Sequence, residues 1–425
     1  MVSDTIINNY KSILKEELVP ALGCTEPIAL AYCSAFCRDV LSCIPDRIVA
    51  YCSGNIIKNV SGVVVPNCNG LKGIKAAIAI GIMGGIAEKE LEVLTNVTQA
   101  DIENAIAYLE KNVIEVKLLE TTHPLHIIIE CYKKEDKACV EIVDRHTNIV
   151  KITNNDKILL DICSNNNNNT STSLTDRSIL NIKDIVDFIE SADLSDIAPI
   201  IEQEIKCNTN ISQEGLKNNW GACIGKNLLL YYGNDINTRA KAVAAAGSDA
   251  RMSGCTLPVM INSGSGNQGM TVSLPVIEFA KEWKKDEETT IKALVLSNLV
   301  AIQQKSLIGS LSAYCGAINA ACGAGAAITW MAGGNITQIE NTITNVLANV
   351  SGIICDGAKP SCAIKIASAV DAAIMGYNLA MHNTVFKPGE GIVKNNIQDT
   401  IAGVGVIASK GMENTDKTIL SIMIN

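Results

Sequence analysis

Three cysteines stand where thiolates could bind a metal. Cys315 lies in AYCGAINAACGAG, and Cys355 and Cys362 lie in GIICDGAKPSCAIKIASAV. Cys355 and Cys362 are seven positions apart, and Asp356, Gly357, Lys359 and Pro360 between them spell a tight polar turn. Each of the three sits beside a turn residue or at the start of an apolar, helix-like run. Backbone N–H groups and the helix dipole favour a thiolate at such a place, and thiolates bind zinc and iron–sulfur clusters. The same residues also suit three buried, inert cysteines, the usual fate of free Cys. Spacing alone does not choose. No Cys-x-x-Cys pair occurs in the chain, so a zinc ribbon or ferredoxin-type site is not supported.

Cys24, in LGCTEPIAL, follows a glycine and precedes what reads as a helix start. A thiol there is expected to have a lowered pKa and to serve as a base or nucleophile, or else only to pack. The stretch INSGSGNQGMTVSLP, residues 261–275, has the make-up of an anion cradle, with Gly and Ser leaving backbone amides free for a carboxylate or phosphate. A flexible loop is the plainer reading. It is neither a Walker motif nor a dinucleotide fingerprint. CSGNIIKNVSGVVVPNCNG offers Ser53, Asn55, Lys58, Asn59 and Asn67 at strand ends, where a surface position is the default for each. Of four histidines, His123, His126 and His146 fall in a β-rich block and read as structural or exposed. His382 follows a helix and precedes a Gly/Pro-rich loop, and is the one histidine expected near a site.

These residues need elements to hold them. Residues 1–44 read as helices broken at Pro20 and Gly23. RIVAYCSGNIIKNVSGVVVPN is β-branched and punctuated by turns, which predicts short strands. Residues from Gly70 to Ala87 suggest a packed helix. Residues 101–162 carry four strand-like runs: VIEVKLLE, LHIIIECY, KACVEIVDR and NIVKIT. The stretch 164–176, SNNNNNTSTSLTD, reads as a solvated loop. From about Gly215 onward Ala, Gly, Ser and Cys rise sharply. Each Gly in a helix costs roughly 1 kcal/mol against Ala, so this many imply close packing, either in a tight bundle or around a bound group. The expected fold is α+β: a helical catalytic domain with an inserted mixed α/β domain. The boundaries are residues 1–44 for the N-terminal helical part, 45–210 for the mixed domain and 211–425 for the helical catalytic domain.

Bulk composition narrows the classes. Apolar residues make up 48% of 425 and aromatics only 4%, which suits a large core of small side chains. A net charge of −9 argues against nucleic acid and against an anionic membrane surface. No basic segment followed by an apolar one opens the chain, and no apolar run approaches the roughly 20 residues that span a bilayer. A cytoplasmic protein is expected, in which most of the 16 cysteines are small buried hydrophobes rather than disulfides. The apolar surface that Ala-rich helices would expose suggests a homodimer.

ALGCTEPIALAY, SGNIIKN, SGSGNQG, YCGAINAACGAGAAITWMAGG and GIICDGAKPSCAIKIASAV, in this order, resemble the L-cysteine desulfidase family from Cys24 almost to the C-terminus. A more distant likeness extends to the iron–sulfur L-serine dehydratases. The resemblance implies a [4Fe–4S] cluster held by Cys315, Cys355 and Cys362, with one iron left open. It implies PLP-independent α,β-elimination of a small molecule, L-cysteine, to pyruvate, ammonia and hydrogen sulfide. Cys24 would be the base, with His382 in reserve. Ser263, Ser265, Gly266, Asn267 and Gln268 would hold the substrate carboxylate, completed by Asn55, Lys58 and Asn59. The alternatives are an L-serine dehydratase-like lyase and a non-catalytic or sulfide-carrying iron–sulfur protein.

Overall fold

The computed structural model describes residues 2–162, 174–309 and 311–424. Most of the stretch 164–176, expected as a solvated loop, lies outside them. Ser3 caps the first helix, α1 (Asp4–Glu17), its hydroxyl accepting from the Ile6 N–H. A short strand β1 (Pro20–Leu22) leads to α2 (Thr25–Leu41), with Cys24 as its N-cap. There follow β2 (Arg47–Cys52), α3 (Gly54–Val60), α4 (Gly73–Gly84) and α5 (Gln99–Glu110). Four hairpin-linked strands and one parallel partner come next: β3 (Ile114–Leu118), β4 (His126–Lys133), β5 (Asp136–Val143), β6 (Ile149–Asn154) and β7 (Lys157–Asp161). The remainder is almost wholly helical. It runs α6 (Ile182–Ser191), α7 (Ala198–Lys217), α8 (Ile224–Tyr232), α9 (Ile236–Met252), a short strand β8 (Pro258–Met260), α10 (Gly266–Glu282) and α11 (Glu287–Ile308). It ends with α12 (Gly316–Met331), α13 (Ile336–Val350), α14 (Cys362–Met381), α15 (Ile397–Val406) and α16 (Glu413–Ile424).

The fold is α+β. The sheet has the order β3-β2-β4-β5-β6-β7, with β2 and β3 parallel and every other pair antiparallel. In β4 the residues Ile127, Ile129 and Cys131 are buried on one face, the two-residue period of a half-buried strand. Helix α2 lies on that face. The thiol of Cys33 donates to the Val140 carbonyl at 3.5 Å and that of Cys37 to the Ile129 carbonyl at 3.3 Å. These cysteines act as small hydrophobes with a weak donor. Thr25–Leu41 thus shares its apolar core with β2, β4 and β5, while α1 packs into a second core with α6, α7 and α9 to α15.

One stretch expected as short strands is helical, and the block 101–162 opens with a helix ahead of its strands. Residues 54–60, expected in strands or at a strand end, form α3. It lies under α16, and Leu420 comes so close that a Cβ on Gly54 would sit 2.7 Å from it. Packing on the C-terminal helix overrides the β-branched propensity of Ile56 and Ile57. Residues 101–110 belong to α5, whose start is set by a capping box between Thr98 and Asp101.

The many small residues of the helical part serve close packing. At Gly323 in α12 a Cβ would lie 2.2 Å from the Ser297 carbonyl of α11, so only glycine lets these two backbones meet. Among the described residues no helix is long and apolar enough to cross a membrane.

Candidate active site

A cavity of about 540 Å³ opens where the two cores meet. Cys24 and Glu26 at the start of α2 line it, with Asn59 of α3, His146 after β5, Arg251 at the end of α9 and Lys305 of α11. The loop Ser263–Gly264–Ser265 and the first turn of α10, with Asn267 and Gln268, form another wall. Cys315, Cys355 and Cys362 form a third.

Local pairing brings the three thiols to that wall. Residues 313–315 and 353–355 run antiparallel as a short bridge. The Cys355 N–H donates to the Ala313 carbonyl at 2.6 Å and the Cys315 N–H to the Ile353 carbonyl at 3.2 Å. Cys315 then caps α12. After Cys355 the chain turns at Gly357, whose φ of +96° is left-handed and where a Cβ would meet the Lys58 carbonyl at 2.5 Å. The turn is tied down by Asp356, which pairs with Lys365 and, at 3.1 Å, with Lys359. Cys362 opens α14 across it. All three thiols are free. Burial pushes Cys315 up to about 12 and Cys362 to about 11, and the neighbouring thiols add to both shifts. They are a set that would give up protons on binding a metal centre.

Among the described residues no three His, Cys, Asp or Glu side chains are gathered tightly enough to hold a single metal ion. A cubane is different, because each thiolate binds a separate iron, so its ligands stand further apart. Three free cysteines on one wall of a cavity larger than a small amino acid fit that group.

Cys24 departs from expectation. As N-cap of α2 it was to have a lowered pKa. Instead burial, then the charge of Glu26, pushes its thiol well above the ordinary value, and Arg251 only partly opposes this. The thiol donates to Glu26 Oε2 at 3.2 Å. Asn59 Nδ2 donates to Glu26 Oε1 at 3.0 Å, and the Thr25 hydroxyl lies 3.1 Å from Oε2. Burial alone would raise the Glu26 carboxyl. His146, the Cys24 hydrogen bond and Arg251 outweigh it and hold it below the usual carboxylate range, although burial also holds down the pKa of His146 itself, which leaves Arg251 as the permanent charge.

The other expected residues divide. Ser263, Ser265, Asn267, Gln268 and Asn59 line the cavity, and Gly266 begins α10 directly behind the loop. Gln268 is held by Asn319, whose Nδ2 donates to its Oε1 at 2.8 Å. Asn55 and Lys58 do not line it. Lys58 is buried, paired with Asp416 of α16, and donates to the Cys355 carbonyl at 3.4 Å, so it props the thiol turn from behind. His382 lines a separate depression with Asn237, Lys241 and Asp371.

Glu26, His146, Arg251 and Lys305 are among the cavity residues not singled out from sequence as site residues. His146 Nε2 is shielded from solvent and has no partner among the described residues. Arg251 is 3% exposed, and its Nε donates to the Gly23 carbonyl at 2.8 Å. Its remaining guanidinium nitrogens have no hydrogen bond or ion pair among the described residues. A lone arginine in DARMSGC, at the end of an Ala/Gly-rich helix, was the available signal. Replacing Arg251 with alanine is expected to raise KM for a small carboxylate substrate roughly 10- to 100-fold. This follows from the roughly 1.5–3 kcal/mol of a hydrogen bond to a charged group. Steady-state kinetics on the variant, with Arg251→Lys recovering part of the loss, check it.

The anion loop is braced from inside. Ser263 donates to Asn262 Oδ1 at 2.9 Å, Asn262 to Asn298 Oδ1 at 2.8 Å, and Asn298 to Glu204 Oε2 at 2.9 Å. Burial raises Glu204 to about 8, with Asn298 opposing. The folded state therefore keeps a proton that the unfolded chain gives up near the ordinary carboxylate value. Stability falls as pH rises through this window, by up to roughly 1.4 kcal/mol per pH unit. Glu204→Gln is expected to flatten that slope between about pH 5 and about pH 8. Thermal unfolding across this range measures it.

An α+β fold with thiols, a buried carboxylate and a buried guanidinium around one cavity is the profile of an enzyme. The chain belongs to the serine dehydratase alpha chain family, whose model matches residues 88–421, and this is a family of dehydratase and lyase-type enzymes. The match takes in the SGSGNQG loop and all three thiols, and leaves out Cys24. Relatives extend over nearly the whole chain. A UPF0597 protein of Lachnoclostridium phytofermentans is 53% identical over 97% of this chain and 98% of its own. One of Desulfitobacterium hafniense is 49% identical over 99% and 98%, and one of Bacteroides thetaiotaomicron 37% over 97% and 96%.

Proposed function

We propose that the protein is an L-cysteine desulfidase that eliminates sulfide from L-cysteine, using a [4Fe–4S] cluster held by Cys315, Cys355 and Cys362. One observation carries the reading: those three thiols face the same cavity as Cys24 and Arg251, whose Nε alone is engaged among the described residues, on the Gly23 carbonyl. When bound, the cluster supplies a Lewis-acidic iron for the substrate's sulfur.

The chain's own residues do the rest. Arg251 takes the α-carboxylate in a forked hydrogen bond, and the Ser263–Ser265 loop and the N-terminus of α10 add backbone donors. This fixes the substrate with its side chain toward the thiol wall. Cys24 accepts the α-proton. As the Cα–H bond breaks, its electrons form the Cα–Cβ double bond and the Cβ–S pair leaves as hydrosulfide. The aminoacrylate released hydrolyses to pyruvate and ammonia. His146 borders the same space, with burial holding its imidazole below the ordinary pKa.

The family's description favours a second reading, elimination of water from L-serine. Anaerobic protein given each amino acid separates the two. Sulfide release from cysteine that far outpaces pyruvate formation from serine supports the desulfidase. The reverse order supports the dehydratase.

A further inference from the structure

We infer that Cys24 and Glu26 work as one proton-accepting pair, in which Glu26 receives the thiol proton of Cys24 when Cys24 reacts. Glu26 acts through Cys24 and is a positioning residue. The inference rests on the assignment of Cys24 as the group that accepts the α-proton.

The geometry is specific. The thiol points at Glu26 Oε2, 3.2 Å away. The carboxylate is fixed from its other side by Asn59 at 3.0 Å, so Oε2 is held toward the sulfur. Titratable and charged groups reach the pair from three sides: His146 after β5, Arg251 from α9 and Lys305 from α11; Glu16, Glu17, Arg145 and Arg177 line the cavity further off. Arg251 and Lys305 supply positive charge that favours an ionised Glu26, while burial holds the His146 imidazole below its ordinary pKa. Burial and the Glu26 charge meanwhile keep the Cys24 thiol protonated. A lone thiolate base is therefore the wrong resting state for this site. The resting pair carries one negative charge, on oxygen. For Cys24 to accept the α-proton, its own proton moves to Oε2 and the sulfur lone pair takes the substrate proton. The pair ends neutral, with one proton gained, and returns that proton to solvent or to the departing hydrosulfide. No oxidant or co-reactant is involved.

The test reads Cys24 itself, without turnover. Anaerobic holoprotein is treated with iodoacetamide over a range of pH, and modification of the Cys24 peptide is followed by mass spectrometry. In wild type the rate should be flat over neutral pH, because Glu26 takes the proton as sulfur is alkylated. In Glu26→Gln, which preserves size and an acceptor for Asn59, it should rise about tenfold per pH unit with the thiolate fraction. Glu26→Asp should restore a flat region. A wild-type rate that climbs tenfold per unit, or a Glu26→Gln profile that matches wild type, overturns the pair. Protein that releases no sulfide from cysteine would sink the desulfidase assignment, while the alkylation profile would still decide the pair.

Discussion

Anaerobically purified protein carrying Cys355→Ala should be colourless, depleted in iron and inactive, with the fold retained. Cys315→Ala and Cys362→Ala should give the same result. The three thiols come from different elements: the cap of α12, the bridge after α13 and the first turn of α14. No one of them can be replaced by a neighbour, because the bridge and the Gly357 turn set where each points. Loss of a partly buried thiol leaves the surrounding cores intact, so unfolding temperature should change little. Cys322 is the control. It is fully buried in α12, seven residues beyond Cys315, and does not line the cavity. Cys322→Ala should keep both colour and activity. Visible absorbance, iron content and sulfide release from cysteine, measured together on the four variants, check the assignment.

Cys24→Ala is expected to separate binding of the cluster from catalysis. Cys24 lines the same cavity as the three thiols, but its hydrogen bond goes to Glu26, not to any of the three wall cysteines. The variant should keep full iron content and still bind substrate through Arg251. Turnover should fall roughly 10²- to 10⁴-fold, the range for loss of a positioned general base. KM should move far less than kcat. A variant with wild-type kcat removes Cys24 from the reaction.

How much of this could be read in the chain depends on how local each feature is. The turn between Cys355 and Cys362 is spelled by adjacent residues, and β4 shows its alternation in HIIIECYK. The α+β class follows from such local signals. Helix α3 was misread because GNIIKNV has β-branched residues, and its helical state depends on α16, contributed from more than 350 residues away. The same distance hides Lys58, whose partner Asp416 cannot be inferred from SGNIIKN. Cys24 was legible as a helix cap, but its raised pKa depends on burial and on the direction Glu26 takes, neither of which a cap motif states. His146 and Arg251 gain meaning only when the β5 loop and the end of α9 reach the same cavity. His382 is followed by a Gly/Pro-rich loop, which suggests a site, yet its side chain lines a separate depression with Lys241 and Asp371.

The central claim is that Cys315, Cys355 and Cys362 hold an iron–sulfur cluster at the wall of the cavity that takes the amino acid. Iron and acid-labile sulfide analysis of the wild-type chain, purified without oxygen, tests it most directly. The account predicts a brown protein with the iron and sulfide of one [4Fe–4S] cluster per chain, both lost on removing any one of the three thiols. A folded, colourless and iron-free protein that still eliminates sulfide from cysteine would contradict it.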